Sequence, residues 1–301
     1  MPATVRANVK PELMRWARIS NGLDLPQAAK KAQISEDRLA AWEAGIEQPT
    51  IKQLRALGSV YKRPLAVFYL PDIPRDFQAQ RIKDFRRIVG SSPGAFSPAL
   101  RVEIRRAWYR RGVAVELFEN LQQAPPIFQL KADLGEDPEV VGSRIRAALG
   151  LTLNVQRGWA TDVRSGFAQM RQATERNGVL VFQASVPLVE MRGVALYEEL
   201  LPVIILSSQE SFIAPRLFTL FHELSHLMLH QSAVSNGAED GLEREAERAE
   251  VFANHVAGAA LVPMGALLQE QDIRANTAMA AIAIVIRVFI RKRVLAWPDS
   301  L

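Results

Sequence analysis

The run Phe218–Leu229, FTLFHELSHLML, holds neither Pro nor Gly and is strongly apolar. Nothing in it interrupts a helix, and a helix puts His222 and His226, four residues apart, on one face. Both imidazoles can then grip a single metal ion. Glu223 projects beside them, where a carboxylate can activate water. Two imidazoles leave a divalent ion short of a third protein donor, so another stretch of chain must supply it.

Composition narrows the choice. The chain has no cysteine, which excludes a disulfide framework, thiolate catalysis, a Cys-ligated zinc and an iron–sulfur cluster. Only His222, His226, His230 and His255 can offer imidazole. His230 extends the spacing, but eight residues along a helix is about 12 Å, too far for the same ion. The acidic stretch 242–261 is the better source. At 100° per residue its Glu243, Glu247, Glu250 and Asn254 fall within about 60° of one another. Glu250, with Asn254 one turn later to hydrogen-bond a ligating His, fits the third position, and Glu247 is the rival. Glu243 and Glu245 read as a solvated face.

The remaining chain sorts into four regions. Residues 1–70 read as short helices: one begun by Pro11 and ending near Ser20, one at 25–32, one capped by Ser35 that runs through Trp42 to Gly45, and one at 51–61 capped by Thr50. Residues 71–137 read as a basic helical connector. Between Arg75 and Phe118 there are ten Lys or Arg against four Asp or Glu. The pairs Arg86–Arg87, Arg105–Arg106 and Arg110–Arg111 interleave with Trp108 and Tyr109, a pattern that suits a solvated face with its aromatics turned inward better than a surface for nucleic acid or an acidic partner. Residues 138–270 read as an α+β unit, with helices over 140–149 and 162–176 and strands over 178–183, 194–197 and 203–206. The 198–202 segment joins the last two strands as a hairpin. Residues 271–301 read as a terminal helix. The expected class is mainly α with a small β-sheet.

The 301 residues, 49% hydrophobic and 23% charged, suit about two globular domains. The net charge is +5, with Arg outnumbering Lys 29 to 8. That bias reads as genomic composition ahead of phosphate contact. The start, MPATVRANVKPEL, lacks the apolar core of a signal peptide. The most apolar stretch, 277–290, is short for a bilayer span and is broken by Arg287. A soluble cytoplasmic protein without membrane association is expected.

FTLFHELSHLMLH followed by EVFANHVAGAALVP resembles the ImmA/IrrE family of zinc metallo-endopeptidases, and the PVIIL strand before them is similar to the strand that family places ahead of its catalytic helix. The resemblance spans about residues 140–265 and implies a zincin-like metallopeptidase domain. It implies His222, His226 and Glu250 as metal ligands, Glu223 as the catalytic base, and Zn2+ as cofactor, although N/O donors also accept Mn2+ and other divalent ions. Two departures stand out. Ser207–Ser208 occupies a place where relatives carry Asn, and the apolar AMAAIAIVIRVFI replaces a short motif ending in Arg-Leu. The implied reaction is metal-assisted peptide hydrolysis, with Glu223 taking a proton from water and passing it to the leaving amine. A peptide substrate would pair along an edge strand, for which 193–197 is the candidate. Tyr197, Arg216 and His255 are the candidates for an oxyanion donor.

The N-terminal residues LPQAAKKAQISEDRLAAWEAGIEQPTIKQLRAL resemble a phage-repressor (XRE-type) helix-turn-helix. Its would-be groove helix sets Glu36, Asp37 and Glu43 against Arg38 alone, a poor surface for phosphate. Gln27, Lys30, Lys31 and Arg38 are the residues that would touch DNA. Protein docking or dimerisation is the alternative use. Together the two resemblances imply a zinc endopeptidase that cleaves a repressor- or antitoxin-like regulator, itself of helix-turn-helix type, in a stress or mobile-element response. The alternative is a DNA-binding transcriptional regulator whose peptidase-like domain senses a ligand or partner.

Overall fold

The computed structural model describes residues 6–74, 97–159, 163–233 and 242–266, and the chain divides into two units, Met1–Arg105 and Arg106–Leu301. The expectations for 271–301, Arg86–Arg87 and the break at 91–94 lie outside the described residues.

The first unit opens with four short helices: α1 (Pro11–Ser20), α2 (Leu25–Ala32), α3 (Glu36–Glu43) and α4 (Ile51–Tyr61). A 3-10 turn, Leu65–Tyr69, follows. Local chemistry sets the ends. Pro11 sits in the first turn of α1, and Asp24 accepts a hydrogen bond from the Gln27 N–H to cap α2. Thr50 and Gln53 cap α4 reciprocally. Ser35 holds the N-cap backbone position of α3, but its side chain makes no capping hydrogen bond. Leu39 and Trp42 on α3 pack with Met14, Leu54, Leu57 and Phe68 in one core.

Helix α5 (Pro98–Asn120) runs through the division between the units. Its arginines are not simply solvated. In the first unit Arg105 donates to the Ser20 carbonyl and the Asn21 Oδ1, the latter at 2.9 Å. In the second, Arg111 donates to the carbonyls of Leu200 and Leu201 and pairs with Glu198. Trp108 is half-buried, with the Arg111 guanidinium 5.6 Å from its ring, but Tyr109 is 72% exposed. The inward-turned aromatics expected here are therefore found only at Trp108. Tyr109 and the buried Ala107 lie on opposite sides of the helix, so both cannot face inward.

The second unit continues through α6 (Pro138–Leu149), α7 (Leu153–Gly158), α8 (Val163–Arg176), strands β1 (Leu180–Ala184), β2 (Gly193–Leu196) and β3 (Val203–Ser207), then α9 (Ile213–Ala233) and α10 (Leu242–Leu261). The sheet order is β1-β3-β2, with β1 parallel and β2 antiparallel to the central β3. All five residues of β3 are buried, as a central strand covered on both faces requires. Ile204 and Leu206 face the core that holds Leu217, Phe221 and Leu224 of α9. β1 starts at Leu180 rather than at Gly178, because Gly178 turns the chain with φ of 86°.

Helix α10 is fixed from its C-terminal end. A Cβ on Gly142 of α6 would stand 2.7 Å from the Ala259 Cβ and 2.9 Å from the Ala260 N, so only glycine allows this helix approach. Buried Arg146 donates to the Ala260 carbonyl at 2.7 Å and to Gln156 Oε1 at 2.9 Å. Gln156 in turn donates to the Leu261 carbonyl. The last turn of α10 thereby receives the donors that a buried helix end needs.

Candidate metal centre

Helix α9 delivers His222, Glu223 and His226, all of them well covered, because Leu220, Phe221, Leu224 and Leu227 on the same helix anchor it in the core. Helix α10 delivers Glu250. The Nε2 atoms of His222 and His226 stand 3.1 Å apart. Glu250 places Oε1 at 3.2 Å from His226 Nε2 and Oε2 at 3.5 Å from His222 Nε2. Glu247 is exposed, so the structure brings Glu250 and not its rival to the imidazoles. The His222 ring stacks on Phe218 at 6.3 Å, and the two His rings meet edge-on at 4.7 Å.

Donors 2.0–2.2 Å from a tetrahedral centre lie about 3.3–3.6 Å from each other. The spacing observed here is close to that without any rearrangement. Two imidazoles and one carboxylate form the donor set characteristic of zinc metallopeptidases, and the cluster is an HExxH site of the gluzincin kind with Glu250 as the third donor. Electrostatics agree with a site built for a cation. Burial opposes charge on His226, but its hydrogen bond to Glu250 and the nearby Glu223 and Glu250 carboxylates outweigh it and raise the His226 pKa.

Asn254 stands one turn beyond Glu250, and its buried Oδ1 has no hydrogen-bond partner among the described residues. The expected bond to a ligating His is not formed. The side chain of His230 lies outside the described residues. Of the oxyanion candidates, His255 is exposed. Arg216 is engaged by Gln183 Oε1 and by the Ser208 and Glu210 carbonyls, with its guanidinium over Phe167. Tyr197 follows β2, and burial together with Glu199 and Glu198 raises its pKa. Ser207 and Ser208 tie the end of β3 to the β1–β2 connection. Ser207 Oγ donates to the Val186 carbonyl, and the Ser208 N–H donates to Ala184.

Three contributors escaped the sequence reading. Gly193 on β2 lies directly against Glu223. Its only sequence signal is a lone Gly opening an apolar strand. Arg146 and Gln156, which hold α10, carry no local signal, because the α10 carbonyls they bind lie more than a hundred residues away.

In the first unit Gln27, Lys30 and Lys31 on α2 and Arg38 on α3 are exposed. Glu43 is not a surface acid. It is 5% exposed and accepts two hydrogen bonds from Arg18, at 2.8 and 2.9 Å. The acidic tally on the would-be groove helix is thereby reduced to Glu36 and Asp37, both exposed.

Comparison with known families matches two segments of the chain. Residues 174–283 match the model for the IrrE N-terminal-like domain, and residues 14–68 match a helix-turn-helix model. No curated protein and no solved structure matches the chain. The chain carries an IrrE/ImmA-like peptidase domain fused to an N-terminal helix-turn-helix domain. Among the described residues no helix is long and apolar enough to cross a membrane.

Proposed function

We propose that the chain is a zinc-dependent endopeptidase that cleaves a regulatory protein of the repressor or antitoxin type in a stress or mobile-element response. The observation that carries this reading is the convergence of His222, His226 and Glu250 with Glu223 lying against an edge strand. His222, His226 and Glu250 would hold the ion. Zinc bound there supplies Lewis acidity, which acidifies water and polarises a carbonyl. Glu223 accepts a proton from the attacking water and returns it to the leaving amine. β2 pairs with β3 along one edge only among the described residues, and its other edge is the seat for an extended peptide. Asn254, one turn beyond Glu250, is the residue whose unpartnered Oδ1 would accept a hydrogen bond from a ligating imidazole once the ion is bound.

On this reading, residues 1–70 form the docking domain, 71–137 the connector, 138–270 the peptidase and 271–301 a C-terminal helix. The docking domain presents Gln27, Lys30, Lys31 and Arg38 to a partner. A helix-turn-helix regulator is the favoured partner, and DNA is the second use. The withdrawal of Glu43 into its pair with Arg18 favours that second use, since it removes one negative charge from the would-be groove helix.

The test uses the full chain, its zinc content and a purified helix-turn-helix regulator of the repressor type as substrate. Wild-type protein should hold about one zinc and cut the regulator. Glu223→Gln should keep the zinc and lose about 10²–10⁴-fold in rate. Cleavage absent from wild type, with salt-dependent DNA binding retained in Glu223→Gln, would favour the regulator reading instead.

A further inference from the structure

We infer that Gly193 is a positioning residue for Glu223, its missing side chain being the space in which the general-base carboxylate sits. The inference rests on the peptidase reading above. The backbone conformation does not demand glycine at this position. Gly193 is not among the residues of positive φ, and it lies in register with Leu206 inside the β2–β3 ladder. Space is what demands it. A Cβ at 193 would fall 2.8 Å from both Cγ and Oε1 of Glu223 and 2.5 Å from Cγ2 of Thr219. Thr219 and Glu223 are one turn apart on α9, so strand and helix meet here as closely as their atoms permit.

The ladder adds a second observation. The Ser207 N–H donates to the Arg192 carbonyl at 2.9 Å, which makes 192 and 207 a hydrogen-bonded pair of the antiparallel ladder. Alternation then directs the peptide groups of Val194 and Leu196 towards β3, and those of Gly193 and Ala195 towards the opposite edge. A peptide docked on that edge exchanges hydrogen bonds with Gly193 and Ala195. Gly193 thus meets the substrate backbone with its amide and carbonyl, and Glu223 with its bare Cα. The width of one hydrogen atom sets how far the base stands from the docked chain. A methyl group there displaces either the carboxylate or the strand, and misplacing a reacting group by about 1 Å costs up to about 100-fold in rate.

The test separates packing from positioning. Thr219→Ser removes Cγ2, one source of the clash, and keeps the hydroxyl that donates to the Pro215 carbonyl. Crystal structures, zinc content, thermal midpoint, and kcat and KM on a quenched-fluorescent peptide cut by wild type are measured for Gly193→Ala, for Gly193→Ala/Thr219→Ser, and for each in the Glu223→Gln background. The expected double variant folds with one zinc and unmoved ligands. Its Glu223 carboxylate is displaced by about 1 Å, and its kcat falls about 10- to 100-fold with KM within about threefold. In the Glu223→Gln background, Gly193→Ala should add no further loss. An unmoved carboxylate, a wild-type kcat, or a loss confined to KM that persists in the Glu223→Gln background overturns the inference. If wild type cuts no peptide, the peptidase reading fails, and if Glu223→Gln cleaves at the wild-type rate, the assignment of Glu223 as base fails; in either case the displacement seen in the crystal still decides the placement of Glu223.

Discussion

Glu43 and Glu250 occupy comparable places in the two units, each an acid on a helix that meets a basic partner from a second helix, Glu43 buried and Glu250 half-buried. Their partners differ in kind. Glu43 closes on the Arg18 guanidinium in a two-pronged pair, and both charges are cancelled within the chain. Glu250 closes on two imidazoles, which offer lone pairs rather than a permanent charge. With Glu223 alongside, the second site carries more negative charge than its own residues neutralise. It draws a proton or a cation, and the raised pKa of His226 expresses the same imbalance. A closed pair holds a fold together, whereas an unbalanced donor cluster holds something added from outside.

The sharpest way to break this contrast is to add and remove metal. Zinc at about 1,000 times its dissociation constant should stabilise the protein by about 4 kcal/mol, read as a rise in unfolding midpoint that a chelator reverses. Glu250→Ala should abolish the rise, and Glu43→Ala should leave it intact. A zinc-dependent shift that persists in Glu250→Ala would place the third donor elsewhere.

The next effect belongs to the closed pair. Glu43→Ala leaves Arg18 charged and largely covered, a change that costs about 3 kcal/mol in denaturant unfolding. A loss well under 1 kcal/mol would mean that Arg18 finds other partners as good, beyond its hydrogen bond to the Leu23 carbonyl.

The smallest effect concerns a pair at the surface. The hydrogen bond from Arg144, aided by the Asp133 N–H, outweighs desolvation and lowers the Glu136 pKa. A lowered folded-state pKa gives stability that is present above the unfolded carboxyl value of about 4.3 and lost as pH falls through the folded value. Glu136→Gln should therefore cost no more than about 0.5 kcal/mol near neutral pH, since both side chains are a third exposed. The cost should vanish in acid. A cost that grows on acidification would reverse the sign assigned to this pair.

What the sequence revealed follows the range of each signal. His222, Glu223 and His226 sit within five residues, and helical spacing alone puts the two His on one face. Glu250 needed both the periodicity of its own helix and the family resemblance, because nothing local distinguishes it from Glu247. Strand β3 was legible as an unbroken apolar run, and the start of β1 was overshot because a glycine turn borders it. Glu43 was misread as a surface charge, since its partner Arg18 lies 25 residues away and helix periodicity says nothing about that pairing. Gly193 was invisible for a related reason. A glycine in a strand has no pattern of its own, and the helix side chain that requires it appears only when strand and helix are packed.

The anchoring of α10 bears on how the site behaves over time. Glu250 lies about 16 Å along the helix from Leu261, where Arg146, Gln156 and the close approach at Gly142 clamp the end. The third ligand can withdraw by turning its own side chain, but the helix cannot swing aside without breaking buried hydrogen bonds more than a dozen ångströms away. Ligand exchange at this position would therefore be a matter of the Glu250 rotamer, against a backbone fixed from the far end of the helix.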